Sequence, residues 1–187
     1  MLARFFAVSQ VFIDSGFASA IIRKQDCTEN DINTVFYFNI VVSTFAYIIL
    51  FFAAPYIAGF FNMPILESIT RILGLTLIIN AFGAIHNNLL TKKVDFKSRA
   101  KISVTNTIIS GSIGIYLAYN GLGVWALVYQ TVLSSISNLI LLWWIGGWRP
   151  RLIFSWKSFR EMFAYGSKLL MGNIIWQIYN NLTSLLI

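Results

Sequence analysis

Long apolar runs without a charged side chain dominate the sequence. The longest covers residues 102–148, and others cover 32–66, 72–91 and 169–187. About 20 helical residues cross the hydrocarbon core of a bilayer, so the longest run predicts two membrane helices. Asn120-Gly121-Leu122-Gly123 lies near its middle and predicts the tight turn between them.

Extended over the whole chain, this pattern predicts an all-α integral membrane protein, a polytopic bundle of about six transmembrane helices. Each span is predicted to be helical, because lipid offers no partner to unpaired backbone groups and no segment alternates like a barrel strand. We place the spans at residues 2–22, 33–53, 72–90, 102–119, 124–145 and 163–187. Trp125 and Trp143 mark the ends of the fifth span, since tryptophan favours both water–lipid boundaries.

The connections between spans differ in character. Pro55 is expected to end the second span, and the apolar residues 56–71 are expected to lie in the outer interface. Residues 146–162 read as a basic linker that ends in an interfacial helix. Ser158 and Glu161 have capping-box spacing and predict where that helix begins.

The distribution of Lys and Arg predicts the orientation. Twelve of the 14 Lys and Arg residues lie at 23–31, 91–101 and 146–168, and only Arg71 lies in the other connections. Positive charge favours the cytoplasmic side, so loops 23–31 and 91–101 and the linker at 146–162 are predicted to be cytoplasmic. Cys27 is then a cytoplasmic residue.

Composition agrees with a membrane protein, at 57% hydrophobic and 11% charged residues. The net charge of +7 does not indicate a nucleic-acid partner, because the cations flank apolar spans. A single cysteine excludes an intramolecular disulfide and a cysteine-based metal cluster. The sequence carries no metalloprotease motif, phosphate loop or paired membrane-face acids, so we predict no enzyme activity, catalytic residue, metal site or cofactor.

Polar stripes inside four spans are the candidate functional feature. Such stripes indicate either close packing between helices or a water-filled cavity. A stripe of Ser103, Ser110 and Gly114 fits packing better, and His86 fits a hydrogen-bonded structural role. The residues predicted to line a cavity or to couple substrate or ion are Arg4, Gln10, Asp14, Asn80, Asn87, Asn106, Gln130 and Asn138.

Asp14 is the most informative of these residues. A carboxylate in mid-span costs about 2.5–3.5 kcal/mol on insertion scales, so it usually faces water or a partner and carries function. The alternative is a structural pair with Arg4 or with a neighbouring helix.

Five segments, in this order and spacing, resemble those of one transporter family. They are Phe12-Ile13-Asp14-Ser15-Gly16-Phe17, Ala54-Pro55-Tyr56-Ile57-Ala58-Gly59-Phe60-Phe61, Asp95-Phe96-Lys97, Gly121-Leu122-Gly123-Val124-Trp125-Ala126-Leu127-Val128-Tyr129-Gln130 and Trp148-Arg149-Pro150-Arg151-Leu152. The chain thereby resembles the Wzx/WzxC-type oligosaccharide flippases of the MATE-like (MOP) superfamily. Members of that family have two bundles of six or more helices around a central cavity.

The resemblance implies a division of the chain. Residues 1–145 would form the N-terminal bundle without the first helix of the family, 146–162 the linker, and 163–187 the first helix of the second bundle. We therefore expect the chain to be a piece of a longer polypeptide.

The resemblance also implies a function in the bacterial inner membrane. The partner would be a polyprenyl-diphosphate-linked oligosaccharide, exported by alternating access, with membrane lipid around the protein and H⁺ or Na⁺ as a coupling ion. Two alternative functions are also consistent with the sequence, namely a MOP-type drug/cation antiporter and a non-transporting membrane scaffold.

Overall fold

Four long helices form the part of the protein that the structure describes. The computed structural model describes Ile21, residues 27–164 and residues 166 and 167. The helices are α1 (Glu29–Phe60), α2 (Ile65–Lys92), α3 (Phe96–Tyr119) and α4 (Val124–Ile145). Each is long and apolar enough to cross a membrane, which confirms the all-α class. The predicted spans at 2–22 and 163–187 lie largely outside the described residues.

Helix α1 begins at a capping box. The Thr28 hydroxyl accepts a hydrogen bond from the Asp31 N–H, and the Asp31 carboxylate accepts one from the Thr28 N–H. Two otherwise unpaired helix-end donors are thus satisfied. With 32 residues, α1 is about 48 Å long at 1.5 Å per residue, which exceeds the hydrocarbon thickness.

Two expectations about the end of α1 are wrong. Pro55 lies inside the helix, which continues to Phe60. A proline removes only one backbone donor, and membrane helices tolerate that loss. The predicted outer connection at 56–71 is correspondingly shorter, since only residues 61–64 lie between α1 and α2. Arg71 lies on α2, where it pairs with Glu67 at 2.8 Å.

Short turns make successive helices antiparallel. Asp95 caps α3, and its carboxylate accepts a hydrogen bond from the Ser98 N–H at 3.0 Å. The predicted turn between α3 and α4 is confirmed, with Gly121 and Gly123 at φ 78° and 55°. A side chain is strained at such positive φ values, so glycine suits both positions.

Helix α2 lies at the centre of the described bundle. It packs against α1 on one side and α4 on the other, while α3 packs mainly against α4. A glycine allows close approach at each interface, since Gly74 faces Tyr47, Gly83 faces Leu142 and Gly114 faces Gln130. Large apolar side chains such as Phe52 and Ile108 are exposed and would face lipid.

The linker after α4 folds back onto the first turns of α1. The Arg151 N–H donates to the Asn33 side-chain oxygen at 2.7 Å, and the Ser155 N–H donates to the Thr34 hydroxyl at 3.0 Å. The Arg151 guanidinium also pairs with Glu29 at 2.8 Å. These contacts fix an irregular segment, residues 146–155, against a helix that precedes it by more than 100 residues.

The helix in the linker starts one turn earlier than its capping-box spacing predicts. Residues 156–164 are helical, and the Ser155 hydroxyl accepts a hydrogen bond from the Ser158 N–H at 3.3 Å. Ser155 therefore takes the N-cap position that we assigned to Ser158. The N-cap hydroxyl accepts a hydrogen bond from an N–H three residues later in either case, so the sequence pattern alone did not distinguish Ser155 from Ser158.

Candidate functional site: a polar groove between three helices

Two adjoining cavities form a polar groove between α2, α3 and α4. The first has a volume of about 230 Å³ and lies between α2 and α4. Asn80 and Asn87 line it from α2, and Ser135 and Asn138 line it from α4. The asparagine stripes of two separate spans therefore face each other across one cavity.

The second cavity, about 210 Å³, continues the groove toward α3. It shares Asn87, Asn138 and Leu142 with the first, and adds residues of α3 that include Asn106 and Arg99. Four of the eight predicted site residues are thus brought together in one groove. They are Asn80, Asn87, Asn106 and Asn138.

Asn106 joins the α3 wall of the groove to α4. Its amide NH₂ donates a hydrogen bond to the Ser134 hydroxyl at 3.0 Å. Its side-chain oxygen is buried and has no hydrogen-bond partner among the residues that the structure describes. A buried acceptor without a partner costs free energy, and this cost falls when a donor enters the site.

Gln130 occupies a different place from the other predicted residues. Its side chain packs against Gly114, where an added Cβ would lie 2.6 Å from the Gln130 Cδ. Neither cavity of the groove includes Gln130. Ser110 and Gly114 are buried on the same face of α3, as expected of the packing interpretation of that stripe. Arg4, Gln10 and Asp14 lie outside the described residues.

Arg99 is the charged groove residue that the sequence interpretation missed. We counted it only as one of the cations that set the orientation, and position alone gives no signal that it lines a cavity. Its guanidinium donates to the Thr91 hydroxyl at 3.0 Å, and that hydroxyl donates to the Asn87 carbonyl at 2.8 Å. Thr91 therefore orients Arg99 at the end of the groove that is predicted to be cytoplasmic.

Asp95 is close to Arg99 in sequence, but the Asp95 carboxylate accepts hydrogen bonds from Ser98 at the start of α3. The Ser98 hydroxyl donates to the Asp95 carboxylate at 2.7 Å, and the Ser98 N–H does so at 3.0 Å. These two hydrogen bonds lower the pKa of the Asp95 carboxyl below its ordinary value, with a smaller contribution from Lys93 and Lys97.

An aromatic cluster of His86, Trp143 and Trp148 packs together next to the groove. His86 is fully buried, and its Nε2 donates to the Trp148 carbonyl at 3.1 Å. Its ring lies 5.2 Å from that of Trp143, whose indole N–H donates to the Phe82 carbonyl at 3.1 Å. His86 thus ties α2 to α4 and to the linker, which agrees with the structural role predicted for it.

The chemistry of the groove is that of hydrogen bonding. Amide and hydroxyl side chains supply both donors and acceptors, and Arg99 supplies one positive charge. In the described part of the chain, no three His, Cys, Asp or Glu side chains come close enough together to hold a metal ion. Such a groove can replace the hydration of a polar solute inside a membrane.

Comparison with known proteins places the chain among polysaccharide biosynthesis proteins. Over 181 residues it is 26% identical to the teichuronic acid biosynthesis protein TuaB of Bacillus subtilis, covering 96% of this chain and 38% of that protein. It is 26% identical over 141 residues to the succinoglycan biosynthesis transport protein ExoT of Rhizobium meliloti, covering 75% and 28%. It is 21% identical over 187 residues to the lipopolysaccharide biosynthesis protein WzxC of Escherichia coli, covering 97% and 37%.

The chain therefore spans less than two fifths of the length of these three relatives. No solved structure matches it. The resemblance to the Wzx type is confirmed, as is a multi-pass location in the inner membrane. The sequence profile of the polysaccharide biosynthesis protein family matches residues 1–187, and the chain belongs to that family.

Proposed function

We propose that the full-length protein exports lipid-linked oligosaccharide units across the bacterial inner membrane. The observation that carries the proposal is the groove, in which asparagines of three membrane helices meet. The relatives named for polysaccharide biosynthesis and for succinoglycan transport support a glycan as the cargo.

The lining of the groove suits a sugar chain. Sugar hydroxyls both donate and accept hydrogen bonds, and so do the amides of Asn80, Asn87 and Asn138. Transfer of an unpaired hydroxyl into hydrocarbon costs several kcal/mol, roughly 4–8 on the water-to-cyclohexane scale. A lined groove removes most of that cost, while a polyprenyl tail remains in the bilayer.

Alternating access is part of the proposal. The chain covers less than half of its relatives' length, so the rest of the full protein would supply the opposite wall of the cavity. Relative movement of two bundles would then expose the substrate first to one side of the membrane and then to the other. Asp14 is our candidate for coupling this movement to H⁺ or Na⁺.

We also propose transport without chemical change of the substrate. Within the described residues the groove presents amides, hydroxyls and one guanidinium, and it contains no acid–base pair. Hydrogen-bonding groups of this kind bind and orient a glycan, whereas bond cleavage would call for a general acid and base.

Deletion of the gene, followed by rescue with the full-length protein, tests this function. We expect the deletion to stop formation of surface polysaccharide while polyprenyl-linked repeat units accumulate facing the cytoplasm. Normal surface glycan in the deletion strain, in a background without a second exporter, would refute the proposal. Loss of surface glycan without accumulation of repeat units would instead favour a scaffold role.

A further inference from the structure

We infer that Arg99 binds the phosphate groups of the lipid-linked substrate at the predicted cytoplasmic mouth of the groove. This inference rests on the proposed function and adds a residue and a ligand group to it. Arg99 is the only charged side chain that lines either cavity of the groove among the described residues.

The charge of Arg99 is available to a ligand. It forms no ion pair with any described residue, and the nearby Asp95 carboxylate is engaged by Ser98. Arg71 and Arg151, by contrast, each have a glutamate within 2.8 Å. Arg99 is half-buried and has no counter-ion in the described part of the chain. Such a guanidinium attracts an anion more strongly than an exposed one, because water screens it less.

The orientation of Arg99 is fixed by the structure. One guanidinium nitrogen donates to the Thr91 hydroxyl, whose own hydrogen is used by the Asn87 carbonyl. Thr91 can therefore act only as the acceptor toward Arg99. The remaining guanidinium N–H groups donate no hydrogen bond to the described residues. Two parallel N–H donors match the spacing of phosphate oxygens.

Neutral donors surround the same cavity. Asn87 and Asn138 line it together with Arg99, so an anion held by the guanidinium would share the cavity with the amide side chains of both asparagines. A diphosphate would meet the charge at the mouth, and the attached sugars would meet the amides toward Asn80. The groove thus presents one positive charge and then amides, in the same order as the diphosphate and the sugars of the substrate.

The competing explanation is that Arg99 only helps to set the orientation of the protein in the membrane, as any cation between residues 91 and 101 would. Lys97 provides the matched control for this explanation. It lies two residues away near the start of α3, carries the same charge, is exposed, and lines neither cavity. Replacement of either residue by glutamine removes one positive charge from the same side of the membrane.

The test measures binding to the full-length protein in nanodiscs of phosphatidylcholine. The probes are a polyprenyl diphosphate, the corresponding polyprenol without phosphate, and phosphatidylglycerol as a competing anionic headgroup. We expect Arg99→Gln to weaken binding of the polyprenyl diphosphate about tenfold or more, as for loss of a charge-assisted hydrogen bond. Lys97→Gln should change it less than twofold, and neither variant should alter binding of the polyprenol.

Two further variants keep the test informative if Arg99→Gln does not accumulate. Arg99→Lys retains the charge without the planar donor pair, and Thr91→Val retains the guanidinium without its orienting hydroxyl. Both should weaken binding of the diphosphate several-fold, and by more than Lys97→Gln does.

The outcomes separate this inference from the proposed function. Equal losses in the Arg99 and Lys97 variants, or no loss in either, would overturn the Arg99 site even if the protein exports glycan. If phosphatidylglycerol displaces the diphosphate in an Arg99-dependent way, the anion site stands and serves a general lipid headgroup. If only phosphatidylglycerol binds, the site stands and the proposed substrate is wrong.

Discussion

Asn33 and Arg151 are 118 positions apart, yet the Arg151 backbone N–H donates a 2.7 Å hydrogen bond to the Asn33 side-chain oxygen. Asn33 is fully buried on α1, and its amide NH₂ donates to the Glu29 carbonyl at 2.8 Å. One side chain therefore caps the backbone of the linker and joins it to the first turn of α1. The linker is held by a specific contact and does not merely connect two spans.

Loss of this contact should loosen the linker. Asn33→Ala leaves the Arg151 N–H without its partner, and we expect a loss of about 1–3 kcal/mol in the local stability of the linker. Trypsin cleavage after Arg151 should accelerate in the purified protein. Asn30→Ala is the control, since Asn30 is exposed one turn away, and it should leave the cleavage rate near wild type. Equal cleavage rates in both variants would contradict the importance of the contact.

The interface between α3 and α4 should depend on Gly114. A side chain there meets Gln130, whereas nothing lies within 4 Å of a Cβ added at Gly111 on the same helix. Gly114→Leu should therefore destabilise the protein by about 1–3 kcal/mol, and Gly111→Leu should be close to neutral. Thermal unfolding in detergent compares the two variants. A larger effect at Gly111 would refute the packing that we describe.

Much of this fold could be predicted, because the hydrocarbon thickness of a bilayer sets the minimum length of a helix that crosses it. The four central spans were located from charge-free runs, although α1, α2 and α3 extend by several residues beyond the predicted bounds. The turn at Asn120-Gly121-Leu122-Gly123 was located from its glycines. The helix ends were less predictable. Pro55 suggested a stop that the structure does not make, since the loss of one backbone donor does not force a membrane helix to end.

The candidate site was predictable only in part, for a physical reason. A stripe of asparagines shows which residues share a face of one helix, and so Asn80, Asn87, Asn106 and Asn138 could be nominated together. The pattern does not show which faces meet. Gln130 follows the same spacing as Asn138 but packs on Gly114, and Arg99 lines the groove from the start of α3, where the sequence pattern predicted only a basic loop. The contact between Asn33 and Arg151 depends on tertiary structure and left no local signal.

Asp95 should make the start of α3 sensitive to acid. Its pKa is lowered in the folded protein by hydrogen bonds from Ser98, so the carboxylate stabilises the fold above its ordinary pKa of about 3.9. This stabilisation is lost as pH falls through the lower folded value. Asp95→Asn keeps an acceptor for the Ser98 N–H but does not titrate, and its stability should depend less on pH between 5 and 3. Amide exchange in the first turn of α3 measures the difference, and identical pH profiles would contradict it.

Cys27 can report the orientation of the bundle. Because 12 of the 14 Lys and Arg residues lie in loops on its side, we predict that Cys27 faces the cytoplasm. An impermeant thiol reagent should label it in intact cells only after permeabilisation. Cys27 is half-buried, so Asn30→Cys in a Cys27→Ser background provides an exposed reporter in the same segment. Labelling of either cysteine without permeabilisation would show that every helix has the orientation opposite to the predicted one.

Asn138 is the residue through which the groove can be tested for transport, because it lines both cavities. In the full-length protein, Asn138→Leu removes an amide from the groove and should lower export of surface polysaccharide about five- to tenfold, as expected for one lost hydrogen bond. Its abundance in the membrane should stay near wild type, since leucine is well accommodated in a membrane helix. Thr131→Val on the same helix replaces an exposed polar side chain outside the groove and should leave export unchanged. If the Asn138 variant accumulates normally and exports at the wild-type rate, the groove does not carry the substrate.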